Sequence, residues 1–174
     1  FTSLNAGTVS FNVTGWSNYS IADTPGTAGV SGCANLTSNN TIYTQTANIV
    51  PVGAMASCIN ITASNVTFNG NGYSIDNITF KNPAIYSFNS RNITIRGINI
   101  TVSNDSAGYG IQLERTNYST LINNTLWGNF YGIYLLTGSH NNISNNIINQ
   151  TGNSGIGIFV DSNSINNSLM SNGI

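Results

Sequence analysis

The residues with the clearest chemistry are asparagines in the pattern Asn-x-Ser/Thr, the acceptor for an N-linked glycan. The sequence contains fifteen such sites, where the abundance of Asn, Ser and Thr alone would give roughly seven by chance. None has Pro in the middle position. The sites are Asn12, Asn18, Asn35, Asn39, Asn60, Asn65, Asn77, Asn92, Asn99, Asn104, Asn117, Asn123, Asn142, Asn149 and Asn166. The excess predicts that several of these asparagines carry glycans.

A second explanation for the excess is structural. A polar–apolar–polar sequence is also what a β-strand with one buried face requires, so the pattern can arise without any modification. Eight sites have a branched apolar residue in the middle position: Val13, Leu36, Ile61, Val66, Ile78, Ile93, Ile100 and Ile143. Both explanations stay open at the level of sequence.

Acid–base catalysis has few candidates in this chain. The ionisable residues are Asp23, Asp76, Asp105, Glu114, Asp161, Lys81, Arg91, Arg96, Arg115 and His140. Arg91 and Arg115 are spaced to stack on one face of a repeat, but Asp76 and Asp105 fall at different corners. No repeated column of acidic residues is present, so we expect no catalytic residues and no enzymatic activity.

Metal ligands are also sparse. Copper sites need His, Cys or Met in groups, and His140, Met55 and Met170 are far apart in sequence. The run from Asp161 to Ser164 resembles the start of a calcium loop, but it lacks the Gly and the bidentate Glu of an EF-hand. We therefore expect a corner there, and no metal or other cofactor.

The two cysteines, Cys33 and Cys58, predict one disulfide if the protein is exported. In the chain-entropy model, closing a loop of that length contributes on the order of 3 kcal/mol. Two buried free thiols are the alternative. Metal binding by this pair alone is less favoured, because a closed site needs about four ligands.

Composition limits the function classes. A chain of 174 residues fits one domain, or one domain with a small N-terminal appendage. Only 5% of residues are charged and the formal net charge is −1, which argues against nucleic acid or an anionic membrane as a partner. No apolar run is long enough to span a bilayer, and no signal-peptide pattern is present. We expect a mature, secreted protein located at the cell surface or outside the cell.

Two stretches of the chain share one strand pattern. Residues 65–68 read Asn-Val-Thr-Phe and residues 92–95 read Asn-Ile-Thr-Ile. The alternation predicts that Val66 and Ile93 point into a core, while Asn65 and Asn92 face solvent.

Beyond Cys58 this pattern becomes a repeat of roughly 22–26 residues, the length of a solenoid coil with three short strands. The first strand of each unit is predicted near Ile59, Ile85, Ile111, Ile133 and Ile158. The second is predicted near Val66, Ile93, Leu121, Ile143 and Ile165, and the third near Ile75, Ile100, Leu126 and Ile148. Asn or Gly at the corners tolerates the left-handed backbone that sharp turns need, as in Asn123-Asn124, Asn145-Asn146 and Gly152-Asn153.

Residues 1–32 have no repeat partner elsewhere in the chain. Thr8 to Thr14 can form a strand, and the group Thr24-Pro25-Gly26 interrupts it. We predict that residues 1–32 form an N-terminal strand, arm or cap, and that residues 33–174 form the solenoid.

The solenoid segments resemble coils of right-handed parallel β-helix proteins. The resemblance lies in residues 68–75, in Gly132-Ile133-Tyr134-Leu135 and in residues 142–146. The most similar group is the secreted pectate-lyase-like set that includes the periplasmic copper-binding repeat proteins. Cys33 and Cys58, followed by residues 61–67, resemble the first coil of secreted archaeal and bacterial members. The resemblance implies an all-β, right-handed parallel β-helix, a fold that hosts lyases, epimerases, adhesins and scaffolds.

Three functions follow as expectations. The first is a structural subunit of a heavily N-glycosylated, archaeal-type cell-surface or extracellular filament, in which the protein is its own partner, head to tail, with possible strand addition by residues 8–14. The second is a carbohydrate-binding or adhesin module using the aromatic residues Tyr109, Tyr118, Trp127, Tyr131 and Tyr134. The third and least favoured is a polysaccharide lyase or hydrolase.

Overall fold

The structure, a computed structural model, describes residues 25–52, 56–78, 82–102, 108–149 and 155–174. Within these ranges the regular structure consists of short strands. They are β1 (Gly26–Val30), β2 (Ala34–Leu36), β3 (Thr41–Gln45), β4 (Ile59–Ile61), β5 (Val66–Asn69), β6 (Ser74–Ile78), β7 (Ile85–Phe88), β8 (Ile93–Arg96), β9 (Asn99–Val102), β10 (Tyr109–Glu114), β11 (Thr120–Ile122), β12 (Thr125–Trp127), β13 (Tyr131–Leu136), β14 (Asn142–Ser144), β15 (Ile147–Asn149), β16 (Ile156–Val160) and β17 (Ser168–Met170).

The strands form three sheets in which every described pair of neighbours is parallel. Sheet A has the order β1-β3-β5-β8-β11-β14-β17, sheet B the order β2-β4-β7-β10-β13-β16, and sheet C the order β6-β9-β12-β15. In the coils from β4 to β15, the first strand lies in sheet B, the next in sheet A and the third in sheet C. The predicted all-β parallel β-helix is confirmed.

The repeat register follows the apolar positions. The buried residues Ile59, Ile85, Ile111 and Ile133 and the partly buried Ile158 are successive partners in sheet B. Their spacing of 22 to 26 residues matches the predicted coil length. The same column arrangement holds in sheet C, where Leu126 pairs with Ile100 and Ile148.

One repeat position was wrong. The sequence pattern placed Ile165 in sheet A, but the partner of Ile143 is Leu169 in β17, and Ile165 is 57% exposed. The reason is the length of the corner. More residues separate β16 from β17 than separate β13 from β14, so the apolar residue that enters the sheet comes later in the chain.

The predicted disulfide is present between Cys33 and Cys58, whose Cα atoms are 4.5 Å apart. Ala34 donates its backbone N–H to the carbonyl of Cys58, so the bridge joins two adjacent coils immediately before β2 and β4. Cys58 is buried in the core.

Paired asparagines occupy the short corner between sheets A and C. In each predicted pair the first residue takes the left-handed conformation, with φ of 55° at both Asn123 and Asn145. The second residue lies inside the coil: Asn124 and Asn146 are buried, and the Nδ2 of Asn124 donates to Oδ1 of Asn146 at 2.9 Å. Asn146 continues the chain of amides to Asn172 at 3.0 Å. The pair Gly152-Asn153 lies outside the described residues.

The N-terminal segment is described only in part. β1 lies within residues 1–32 and pairs in parallel with β3, so sheet A extends into that segment. Residues 8–14, for which the sequence predicts a strand, lie outside the described residues.

Candidate functional site

The acceptor asparagines are distributed over the coils and not gathered at one place. Three of the fifteen, Asn12, Asn18 and Asn104, lie outside the described residues. All eleven with described side chains are exposed or partly exposed: Asn35, Asn39, Asn60, Asn65, Asn92, Asn99, Asn117, Asn123, Asn142, Asn149 and Asn166. Asn77 lies in β6. They form a polar coat around the helix.

The predicted division between inward and outward residues is confirmed. Val66 and Ile93 are both 1% exposed, whereas Asn65 and Asn92 are exposed to solvent. Asn142 differs from these sites, because its Oδ1 atom is buried and has no hydrogen-bond partner within the described part of the chain. The acceptor sites are therefore unequal in accessibility.

Several acceptor asparagines lie directly above one another. Asn60 is the register partner of Asn35, and its Nδ2 donates to the Oδ1 of Asn35 at 3.2 Å. At the corner before sheet A, the Nδ2 of Asn92 donates to the Oδ1 of Asn65 at 2.9 Å. Because neighbouring strands lie about 4.8 Å apart, these pairs are acceptor sites one strand spacing apart.

A cluster of aromatic rings covers one end of the outer face of sheet B. The Tyr109 ring stacks on Tyr131 at 5.2 Å between centroids, and the Tyr134 ring stacks on Phe159 at 4.9 Å. Tyr131 meets Tyr134 edge-on at 5.1 Å. The parallel register explains the cluster, since Tyr109 pairs with Tyr131 and Tyr134 pairs with Phe159. We call Tyr109, Tyr131, Tyr134 and Phe159 the aromatic face.

The structure brings together three of the five aromatic residues singled out from the sequence. Tyr118 is instead at a corner between sheets B and A, where it stacks on His140, and Trp127 lies on β12 in sheet C. Phe159 was missed. The repeat contained the signal for it, because Gly157-Ile158-Phe159 aligns with Gly132-Ile133-Tyr134.

The phenol of Tyr86 extends this outer face toward Glu114. Its hydroxyl donates to Oε2 of Glu114 at 2.8 Å. Burial, with a further contribution from this hydrogen bond and from the carboxylate charge, raises the pKa of Tyr86 to about 12. Burial also raises the pKa of Tyr134. Both phenols are therefore neutral hydrogen-bond donors at physiological pH.

Arg91 and Arg115 come together as the sequence predicted. Both border a cavity of about 290 Å³ at the corner between sheets B and A. The other lining residues are Ser64, Asn89, Ser90, Asn117 and Tyr118. No carboxylate is among the lining residues, so the cavity is cationic.

The acidic side chains of the described residues do not converge. The Asp76 carboxylate accepts a hydrogen bond from Ser74, and Glu114 pairs with Tyr86. Asp161 closes a β-turn: it accepts from Ser164 Oγ at 2.5 Å and from the Thr137 N–H at 2.9 Å. The hydrogen bond from Ser164 lowers the pKa of Asp161, which is a corner residue.

Among the described residues, no group of three or more His, Cys, Asp or Glu side chains is placed to hold a metal ion. Asp23, Lys81, Asp105 and Met55, which the sequence analysis considered, lie outside the described ranges. Within them, no helix of the length and apolar character needed to cross a membrane occurs.

Comparison with known proteins identifies the family. No curated protein and no solved structure matches the chain. The family model described as "Right handed beta helix region" matches residues 60–174, well over half of the chain. The narrower resemblance to pectate-lyase-like and copper-binding repeat proteins stays a prediction. The chain therefore belongs to the right-handed β-helix family.

Proposed function

We propose that this protein is a structural subunit of a secreted, N-glycosylated cell-surface or extracellular filament. The observation that carries the proposal is the outward placement of the acceptor asparagines. Asn35, Asn65 and Asn92 are exposed and Asn60 is partly exposed. The proposal assigns no catalytic residue and no cofactor beyond covalent glycans.

The scarcity of charge supports this role. Charged residues make up 5% of the chain, against roughly 25% in an ordinary soluble domain. Glycans on the outer asparagines would supply the hydrophilic surface that charged side chains usually provide. The core, by contrast, is complete without them, since Phe68, Ile95 and Ile100 are fully buried.

Assembly would use the ends of the coil stack. A parallel β-helix presents unpaired strand edges wherever its stack of coils ends. An exposed sheet edge is completed by a further strand. A second copy of the protein can supply that strand head to tail, and such a contact propagates into a filament.

Electron microscopy of the purified protein tests the assembly directly. Filaments are expected, and a uniform population of monomers at high concentration would remove this part of the proposal. Deleting residues 1–15 tests the strand predicted over residues 8–14, because polymers that still form without these residues exclude strand addition by that segment.

The aromatic face favours a second candidate function, carbohydrate binding. Tyr109, Tyr131, Tyr134 and Phe159 are only partly buried, and their rings form one contiguous patch on a rigid sheet. Partly exposed aromatic rings offer a large apolar contact at low entropic cost. The phenol of Tyr86 and the carboxylate of Glu114 lie on the same outer face as hydrogen-bonding groups.

A glycan-binding screen with three variants tests this second function. Tyr134→Ala and Phe159→Ala should abolish binding, while Trp127→Ala, which removes an exposed ring from sheet C, should leave it unchanged. Equal binding by all three variants would exclude the aromatic face as the binding site.

A further inference from the structure

One corner of the coil has a backbone conformation that repeats through the whole stack. At this corner one residue per coil has φ between 53° and 58°. This residue directly precedes β3, β5 and β8, and it lies two residues before β11, β14 and β17. Backbone hydrogen bonds align these residues in one column: Asn40, Asn65, Asn92, Tyr118, His140 and Asn166. Four of the six are asparagine, the side chain that tolerates the left-handed region best after glycine.

Tyr118 and His140 depart from this preference. Tyr118 is an outlier because a bulky residue rarely has positive φ, whereas His is one of the residues enriched there. Backbone strain of the kind at Tyr118 persists where the surroundings hold it, and it clusters at functional sites. Two successive coils therefore replace the favoured asparagine by an aromatic ring at the same corner. Contacts made by the two side chains must therefore offset the cost of the left-handed backbone conformation.

The two rings form one half of a site. Tyr118 stacks on His140 with centroids 4.8 Å apart and planes 14° apart. On the other side, the guanidinium carbon of Arg91 lies 5.5 Å from the centroid of the Tyr118 ring. His140 is held in turn by Asn166, whose Nδ2 is 3.3 Å from the imidazole Nε2.

The second half is the cationic cavity of about 290 Å³, which Tyr118, Arg91 and Arg115 border together. The guanidinium of Arg115 packs over Phe88 at 5.7 Å, as that of Arg91 packs over Tyr118. Within the described residues neither arginine forms an ion pair with a carboxylate, and no acidic side chain lines the cavity. Two of the four basic residues of the chain thus border one cavity, with no counterion among the described lining residues.

The chemistry of these groups selects a ligand. One guanidinium satisfies a carboxylate with two parallel hydrogen bonds, so two guanidiniums around one cavity match an anion with more acceptor oxygens, such as a sulfate or phosphate ester. The ring of Tyr118 adds an apolar surface beside them. The volume of about 290 Å³ is just below the range of small-ligand sites, which begins at about 300 Å³, and so suits a small ligand. We propose that this corner binds a sugar that carries a sulfate or phosphate ester, with Arg91 and Arg115 on the ester and Tyr118 against the sugar ring.

This site is distinct from the aromatic face, and Asn117, one of the glycan acceptors, lines its cavity. It is therefore tested on unglycosylated protein, by calorimetric titration with glucose 6-sulfate and glucose 6-phosphate, and with glucose and glucuronate as comparison ligands. The two esters are expected to bind, and the relative affinities identify which ester is preferred. Absence of binding by both esters, or equal binding of glucuronate, overturns the proposal.

Substitutions of the arginines test whether the esters bind in this cavity. Arg91→Gln and Arg115→Gln should each weaken ester binding by about tenfold or more, the loss expected for one charge-assisted contact. Arg96→Gln is the matched control, since it removes the same charge from an exposed position on β8 outside the cavity. Arg91→Lys keeps the charge but loses the fork geometry, and should also bind more weakly.

Tyr118→Asn separates binding from folding. It restores the residue that the column otherwise uses, so the melting temperature should stay the same or rise while affinity for the sugar esters falls. Unchanged affinity in Tyr118→Asn or in Arg91→Gln, with the fold intact by circular dichroism, would show that the corner is structural only.

Discussion

The side-chain amide of Asn92 donates a hydrogen bond of 2.9 Å to the amide oxygen of Asn65 one coil below. Both residues have left-handed backbone and both are glycan acceptors. The donating atom, Nδ2, is the atom to which an N-linked glycan is attached. Glycosylation of Asn92 and its hydrogen bond to Asn65 therefore compete for the same Nδ2 atom.

The two sites are one strand spacing apart, about 4.8 Å. This distance leaves no room for a sugar ring on each of the two asparagines. The folded protein is expected to carry a glycan at Asn65 or at Asn92, but rarely at both. Glycopeptide mapping of Asn65→Gln should show higher occupancy at Asn92, with Asn99 on sheet C as the unchanged control. Frequent double occupancy of the pair would contradict the steric argument.

The buried amide of Asn146 is expected to be a major contributor to stability. It donates to the carbonyl of Leu121 at 3.0 Å and accepts from the backbone and side chain of Asn124. Asn146→Ala leaves these buried groups unpaired, which should lower the free energy of unfolding by about 3 kcal/mol. Urea unfolding measures the loss, and Asn149→Ala, at an exposed position, should change it by less than about 0.5 kcal/mol.

Glycines recur near the start of strands in sheet B, where neighbouring coils approach too closely for a larger side chain. A Cβ atom on Gly132 would lie 2.5 Å from the carbonyl oxygen of Gly157 and 2.5 Å from Cγ2 of Ile148. Gly132→Ala should therefore destabilise the protein by on the order of 1–3 kcal/mol through overpacking. Gly32→Ala is the control, because nothing lies within 4 Å of its added methyl group. Equal melting temperatures of the two variants would refute the close approach.

Ionisation of Tyr86 should lower the stability of the folded protein at high pH. Its folded pKa of about 12 exceeds the ordinary value of 10.0, so the folded state retains the proton more tightly than the unfolded chain does. The stabilisation is fully present below pH 10 and is lost as the pH rises through 12. Tyr86→Phe should flatten the stability profile over this window. Glu114→Gln should lower the pKa of Tyr86 in an ultraviolet difference titration, and an unchanged value would remove Glu114 as a cause.

Much of the fold was predictable because an apolar residue recurs in the sequence at a spacing equal to the length of one coil. The column from Ile59 to Ile158 follows directly from that recurrence. Ile165 was misplaced because periodicity fixes strands and leaves corner length free. The role of Asn124 and Asn146 was only half predicted, since the sequence pattern indicates a turn but not which amide enters the core.

The candidate sites were less predictable than the fold. Tyr109, Tyr131 and Tyr134 were recognised as exposed aromatic residues, but their grouping depends on the register between coils. Arg91 and Arg115 were expected on one face, yet the contribution of Tyr118 and His140 depends on a left-handed corner that no sequence pattern marks at an aromatic residue. Side-chain clusters that form across coils require the register to be known first.

The most direct test of the structural role is the intact mass of the protein secreted from a host that modifies Asn-x-Ser/Thr sites, measured before and after deglycosylation. The proposal predicts a mass above that of the unmodified 174-residue chain, in steps of whole glycans, which falls on deglycosylation. A secreted protein with the mass of the unmodified chain would contradict the glycan coat, and would leave the asparagine columns as strand and corner residues alone.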